Sequence, residues 1–559
     1  MKFKKIRYNI FIKYTVLFVM LALASSSCKK FLEEIPTGTM TTAATLTSAP
    51  AGDALVIGPY RSLPLWIGDA TDWGHYLPCP IEYQTGKAYT SDSHVQFWKY
   101  QGDQVAGDLL GAFTNFLNNQ YQGVRDCNLS ISLLPGITEY TAGQRAKALA
   151  EVRALRAFYY FNLVRYFGDV PMNVSVITDV NSFEMPRTSL KTIYDKVIIP
   201  DLEYAVSAEG GLSDARSTNG RVTKHVARAI LADVYLTCAG YPYQEIATSS
   251  DTTKKWCVDG LWTARTYPVN SASAKTFLAE AKKHLDVLVN SGTYTLGTYT
   301  DLHDPANNNK KEAVFQAQFL TGVTSSYSFQ RTCLPLGSLI TNGDAYGTYN
   351  PSIEYYNSYA PADLRTKEKQ MFFTFDTKHS AYDPAQGPSA VFTQPALYKF
   401  WDVAAGKGTT GSSSLNWSFY RYADILLMQT EVNWTLNQLI PGTVAEADLV
   451  KGINLVRARA TVPALTAGAL DLRAIMSERA YELVFETKML WDQRRTRMCL
   501  VDGSGSFPAI QSFFGHHPNG FSYSFSAKHL LSPIGLTEIQ NNGNCLQNFG
   551  YLPKQVGQQ

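Results

Sequence analysis

The sequence predicts a mainly α-helical protein, a tetratricopeptide-like superhelix of helix pairs broken by irregular, aromatic-rich insertions. Seven segments place apolar residues at helical spacing between legible ends. Two intervening stretches, about 52–110 and 293–418, are rich in Gly, Pro, Asn, Tyr and Trp and hold only short β-like runs. With 45% hydrophobic and 17% charged residues, the 559-residue chain can bury a large core and is not a disordered polymer.

Residues 1–27 read as a secretory signal. Lys2, Lys4, Lys5 and Arg7 open it, and the apolar run 14–24 is only about half the ~20 residues that a spanning helix requires. Ser25-Ser26-Ser27 precede Cys28, the pattern of small residues before a cysteine at which a lipoprotein signal is cut and the thiol acylated. Ser25 stands where such signals usually carry an aliphatic residue. Cys28 is expected to be the lipidated residue and 28–51, charged and then Thr/Ala/Ser-rich, a flexible tether. Residues 52–559 follow as one domain. Taking the five cations of the signal, Lys13 included, from a net charge of +3 leaves −2. A near-neutral body gives no electrostatic grip on nucleic acid.

The clearest helix covers 144–167, with Val152, Leu155, Tyr159, Leu163 and Tyr166 on one face, Gly168 past its end and Pro171 blocking continuation. Segment 190–206 repeats the pattern through Ile193, Val197, Leu202 and Ala205. Thr223 can cap a helix through Val226, Ile230 and Val234 to Gly240, and 274–290 stops at Gly292. Three more are expected over 422–436, 445–460 and 472–494. Pairs of this size bury their apolar faces on one another when stacked. Seven cysteines follow Cys28 with no C-x-x-C spacing, which removes zinc and thioredoxin-like readings and leaves any disulfide unassigned.

Four motifs then occur in order. The first is Arg153-Ala-Leu-Arg-Ala-Phe-Tyr-Tyr-Phe-Asn-Leu-Val-Arg-Tyr-Phe-Gly-Asp-Val-Pro171, and the second is Gly220-Arg-Val-Thr-Lys-His-Val-Ala-Arg-Ala-Ile-Leu-Ala-Asp-Val-Tyr-Leu236. The third runs from Arg421-Tyr-Ala-Asp-Ile-Leu-Leu-Met428 through Ile453-Asn-Leu-Val-Arg-Ala-Arg-Ala460 and Glu478-Arg-Ala-Tyr-Glu-Leu-Val-Phe-Glu486 to Trp491-Asp-Gln-Arg-Arg495. The last is Leu531-Ser-Pro-Ile-Gly-Leu-Thr-Glu-Ile539 with Gln547-Asn-Phe-Gly-Tyr551. In these motifs the chain resembles the SusD/RagB family of outer-membrane nutrient-binding lipoproteins. It departs at Thr430 and Val432, where the family has alanines beside Glu431, and at Gly535, where a second proline is common. The resemblance implies a lipid-anchored protein on the outer face of the outer membrane of a Bacteroidota-type bacterium. It would bind an oligosaccharide or polysaccharide and pass it to a SusC-like TonB-dependent transporter, as a binder and not an enzyme.

Sugar binding needs flat rings for C–H faces and polar groups for hydroxyls. The chain holds 33 Tyr, 28 Phe and 9 Trp, which implies either a very aromatic core or an exposed surface on which rings stack. Trp66, Trp73 and Tyr76 in one run, Trp98 nearby, and Tyr346 and Tyr349 in the second insertion are the candidate ligand-binding residues; Trp401 and Trp417 are assigned to packing. Glu478, Glu482 and Glu486, at i, i+4 and i+8, line one helix face, whereas a glycosidase pair must flank a bond from two sides. They are expected to form structural ion pairs. His516-His517 lacks a third ligand, and Asp502-Gly-Ser-Gly-Ser506 lacks the distal Glu of a calcium loop, so neither metal nor cofactor is expected. The competing readings are a surface glycan hydrolase and a transporter lid for non-glycan cargo such as peptides.

Overall fold

The computed structural model describes residues 47–66, 78–89, 111–178, 184–321, 332–333, 349–373, 395–402, 413–519, 521 and 523–551. Helices begin where a side-chain oxygen can take an orphan backbone N–H. Ser48 caps Ala49–Ile57, Thr223 caps Lys224–Cys238, Ser271 caps Ala272–Asn290 and Asp471 caps Leu472–Glu482. Thr141 and Gln144 close a reciprocal capping box on Ala142–Phe167. The helix at Ala49 shortens the tether expected through residue 51.

Each long helix packs on the next. Gly111–Leu133 lies on Ala142–Phe167, which meets Ile199–Val206; Lys224–Cys238, Ala272–Asn290, Tyr422–Leu439 and Glu446–Arg459 follow in series. Covered on both sides, Ala142–Phe167 is buried almost all round from Ala148 onward. Its charges are matched across the interface: Arg153 and Arg156 both reach Asp201, at 2.7 and 2.8 Å.

Three elements differ from expectation. Gly111–Leu133, with four Asn and two Gly, was not among the expected helices; it packs along Ala142–Phe167, with Gly123 under the Tyr159 ring, where a Cβ would approach to 2.5 Å. Segment 190–206 is one helix with a π-turn at Tyr194–Ile198, just before Pro200, whose ring and missing N–H would conflict with a regular turn. Segment 472–494 divides into Leu472–Glu482 and Met489–Thr496, with Phe485 and Thr487 left-handed at φ 58° and 61°.

The insertions also give residues to the core. Ala313–Ala317 is buried throughout and pairs antiparallel with Trp417–Arg421, leading into the next long helix. Trp401 and Trp417 are buried, as expected. Cys127, Cys238, Cys257 and Cys499 are free and buried, so Cys238 and Cys257 do not pair.

Two of the three departures from the family pattern, Thr430 and Gly535, have a packing reason. Thr430 Oγ1 donates to the Leu426 carbonyl at 2.9 Å and accepts from the Ile453 N–H at 3.0 Å, bridging two helices at Gly452. At Gly535 a Cβ would come within 2.3 Å of Thr114 Oγ1. At Gly452 it would stand 2.5 Å from the Leu426 oxygen. Gly452→Ala is therefore expected to lower stability by about 1–3 kcal/mol, against a smaller helix-propensity gain of ~1 kcal/mol. Gly143→Ala, at a position with open space, is the control and is expected to be neutral or slightly stabilising in the same urea titration.

Candidate functional site

Of the candidate ligand residues, Trp66 ends the short turn Pro64–Trp66, held where Asn119 Nδ2 donates to the Leu65 carbonyl. The Trp66 side chain, Trp73, Tyr76, Trp98 and Tyr346 lie outside the described residues, as does Cys28. Tyr349 is corrected. It has no exposed surface, its ring packs on Phe400 and Phe485, and its hydroxyl donates to the Phe485 carbonyl at 3.0 Å. It has no face to offer a sugar.

The chain enters and leaves the aromatic-rich stretches through neighbouring roots. Ala88–Tyr89 pairs antiparallel with Asn350–Pro351, so the segment departing after Tyr89 and the segment arriving at Tyr349 meet at the same end of one ribbon. Phe372–Phe373 pairs with Ala396–Leu397, which in turn contacts Asn350–Pro351. Asp402 and Ser413 close a third root, with the serine hydroxyl donating at 2.6 Å.

These roots are fastened to the break in the 472–494 segment. A helix C-terminus leaves carbonyls without intrahelical donors, and here side chains from the second insertion supply many of them. Tyr355 donates to the Ala480 carbonyl at 2.6 Å, Tyr359 to Tyr481 at 3.0 Å and Lys399 to Val484 at 3.0 Å, beside the Tyr349 bond to Phe485. Arg421 Nη2 takes the Glu482 carbonyl at 2.5 Å. From the first insertion, Glu82 accepts the Thr487 N–H at 2.8 Å, and Lys87 forms an ion pair with Asp502 at 2.5 Å. Sequence reasoning missed this seat. Its one local signal is the tyrosine spacing 355, 359 in a stretch otherwise read as loop.

Beneath the roots the three glutamates are saturated with cations. Glu478 meets Arg365 at 2.7 Å and Arg457 at 2.8 Å; Glu482 meets Arg421 at 2.7 Å and also Arg459; Glu486 meets Arg421 at 2.9 Å and also Lys399. Burial pushes the Glu482 carboxyl up, but Arg459, Arg421 and Arg365 outweigh it and hold it down at about 2. A carboxyl so held carries no proton at neutral pH and cannot serve as a general acid. The same balance holds Glu486 below its ordinary range. Glu82 goes the other way: burial pushes it up to about 8, against the lowering effects of the Thr487 N–H and Lys399.

Two family models match. The one described as SusD family covers residues 374–551, and the one described as starch-binding associating with outer membrane covers 80–236. A SusD-like protein of Bacteroides ovatus is 27% identical over 87% of this chain and 82% of its own length. The surface glycan-binding protein A of Bacteroides thetaiotaomicron, solved in complex with laminarihexaose, shares the fold at a TM-score of 0.66 and 20% identity, over 90% of this chain and all of that one. A SusD superfamily protein from Parabacteroides distasonis superposes at a TM-score of 0.77 with 31% identity, over 90% of this chain and 99% of its own. With a helical scaffold and motifs in the same order, the chain belongs to the SusD/RagB family.

Proposed function

We propose that this protein is a surface lipoprotein, anchored to the outer membrane through Cys28, that binds a glycan and hands it to a SusC-like TonB-dependent transporter without altering it. The observation that carries the reading is the convergence of the insertion roots on one rigid seat. The stretch holding Trp98 departs after Tyr89 and the stretch holding Tyr346 arrives at Tyr349, side by side on one ribbon, so these rings have a common base, and the run with Trp66, Trp73 and Tyr76 is assigned to the same platform. Rings suit the C–H faces of a pyranose, and each buries ~150–250 Å² when covered. Support also comes from the relatives solved with laminarihexaose and with a xylogluco-oligosaccharide. The saturation of Glu478, Glu482 and Glu486 removes the most obvious acid/base set and favours binding over hydrolysis. Weak contacts repeated along a polymer raise apparent affinity through effective concentration.

The test is calorimetric titration with a panel of plant, host and microbial polysaccharides, followed by sizing of the same samples. Binding with polymer length unchanged is the expected result. A shortened polymer would establish a hydrolase, and no binding across the panel would leave the lid reading. Alanine at Trp66, Trp73 and Trp98 together is expected to weaken the cognate glycan by about tenfold or more. Unchanged affinity for every glycan bound would remove these residues from the site.

A further inference from the structure

The run Phe521-Ser-Tyr-Ser-Phe-Ser526 alternates rings with hydroxyls and lies in neither the helical scaffold nor the two insertions. In extended chain, residues two apart fall on the same side. The rings follow that rule: the centroids of Phe521 and Tyr523 are 5.2 Å apart, and those of Tyr523 and Phe525 are 6.4 Å apart. His529 stacks on Tyr523 at 4.8 Å, with 20° between the planes. Beneath them Phe525 stacks on Phe513 at 4.8 Å, and both of these are buried. Phe521, Tyr523 and His529 are only half-buried, so the cluster grades from core to surface. Rings seated on one another in this way have little freedom left to lose when something covers them.

The loop that carries the outer rings is closed at its neck. The Gly515 N–H donates to the Phe525 carbonyl at 2.9 Å, and the Phe525 N–H to the His516 carbonyl at 2.8 Å. Pro518, near its tip, lies directly on Gly86, where a Cβ would come within 2.5 Å of the proline Cβ. Gly86, at φ 77°, stands two residues before Ala88–Tyr89, the strand from which the first insertion departs. The hairpin that precedes the loop, Met498–Val501 with Ala509–Ser512, is fastened to both insertions near its turn. Lys87 pairs there with Asp502, and the Gly505 N–H donates to the Asn357 carbonyl at 2.8 Å. Phe521 follows Pro518 by three residues, which is at most ~11 Å of chain.

On the reading of this protein as a glycan binder, we propose that loop 516–525 is a further wall of the glycan surface, with Phe521 and Tyr523 stacking on sugar rings of the bound polymer. The loop abuts the root from which the stretch holding Trp98 departs, so a polymer held above that root has these rings within reach. Exposed Asn519 and Ser524 flank them and supply an amide and a hydroxyl for the sugar hydroxyls. Flat apolar faces beside short polar side chains are the combination that a pyranose requires, and here they stand on a buried aromatic base.

The test is hydroxyl-radical footprinting of the unaltered protein, with the oxidation of each residue read by mass spectrometry. The probe is the polysaccharide of the calorimetric panel that binds most tightly, and one that does not bind controls for radical scavenging. Protection of Phe521 and Tyr523 by the probe alone is expected. Joint replacement, Phe521→Ala with Tyr523→Ala, is expected to weaken the probe by about fivefold or more, whereas Tyr523→Phe keeps the ring and binds as the parent does. If the joint variant fails to fold, the footprint decides alone. A probe that binds while leaving both rings unprotected, or that binds the folded joint variant as it binds the parent, would overturn the wall and leave the glycan reading standing. No binding by any polysaccharide would overturn both.

Discussion

Arg421→Met is expected to lower the free energy of unfolding by about 3–5 kcal/mol, a large fraction of the ~5–15 kcal/mol that holds a typical domain. Arg421 is fully buried and pairs with Glu482 at 2.7 Å, Glu486 at 2.9 Å and Glu312 at 3.2 Å, besides taking the Glu482 carbonyl. Its removal leaves three carboxylates to share Arg459, Arg365 and Lys399. The loss arises from stranded charge more than from the missing attraction. Arg421→Lys keeps the charge without the planar fork that serves several acceptors, and should fall between the two. Urea unfolding followed by intrinsic fluorescence measures both variants. A loss below about 1 kcal/mol for Arg421→Met would mean that the remaining cations redistribute and that this arginine does not organise the seat.

Glu82 gives the second large effect, and its sign is opposite to that of Glu482 and Glu486. Burial raises its folded-state value to about 8 from an ordinary 4.5, so between those limits the folded chain holds a proton that the unfolded chain has released. Its contribution is fully present below about pH 4.5 and is lost as pH rises through 8, a change of a few kcal/mol. Glu82→Gln keeps an oxygen for the Thr487 N–H and cannot ionise. Relative to the parent, this variant is expected to gain stability steadily from pH 5 to pH 8. The buried His284, His303 and His516, pushed down to about 4 by desolvation, weaken both proteins as pH falls below 6.5 and cancel in the comparison. Parallel curves for the two proteins between pH 5 and 8, by thermal melts in matched buffers, would show that Glu82 titrates normally.

What could be read in advance follows from where each signal resides. Helix starts were legible where a cap and its partner lie within four residues, as at Thr223 and Val226, whereas the Thr141–Gln144 box was missed and that helix was started two residues late. Gly111–Leu133 was not legible, because its Asn and Gly residues weaken the local signal and its packing partner is a neighbouring helix. The break at 483–488 escaped for the same cause. The donors that stabilise it, from Tyr349 to Lys399, are some eighty or more residues away in sequence. The glutamates at 478, 482 and 486 were read correctly as structural because their spacing alone conflicts with hydrolytic geometry. Tyr349 was misplaced because composition cannot separate a ring that packs an insertion from a ring that faces a ligand. The difference lies in the Phe485 carbonyl that its hydroxyl reaches.

The fastening at 480–485 is made almost wholly to main-chain oxygens, and main chain is the one part of a protein that substitution does not rewrite. Side chains in that stretch can drift while the receiving atoms stay where they are. An incoming loop needs only a few hydroxyls and an amine at suitable distances, from Tyr349, Tyr355, Tyr359 and Lys399 or their equivalents, to engage. The arrangement is a generic socket. Loops seated in this way can be exchanged whole while the helical frame beneath is left unaltered.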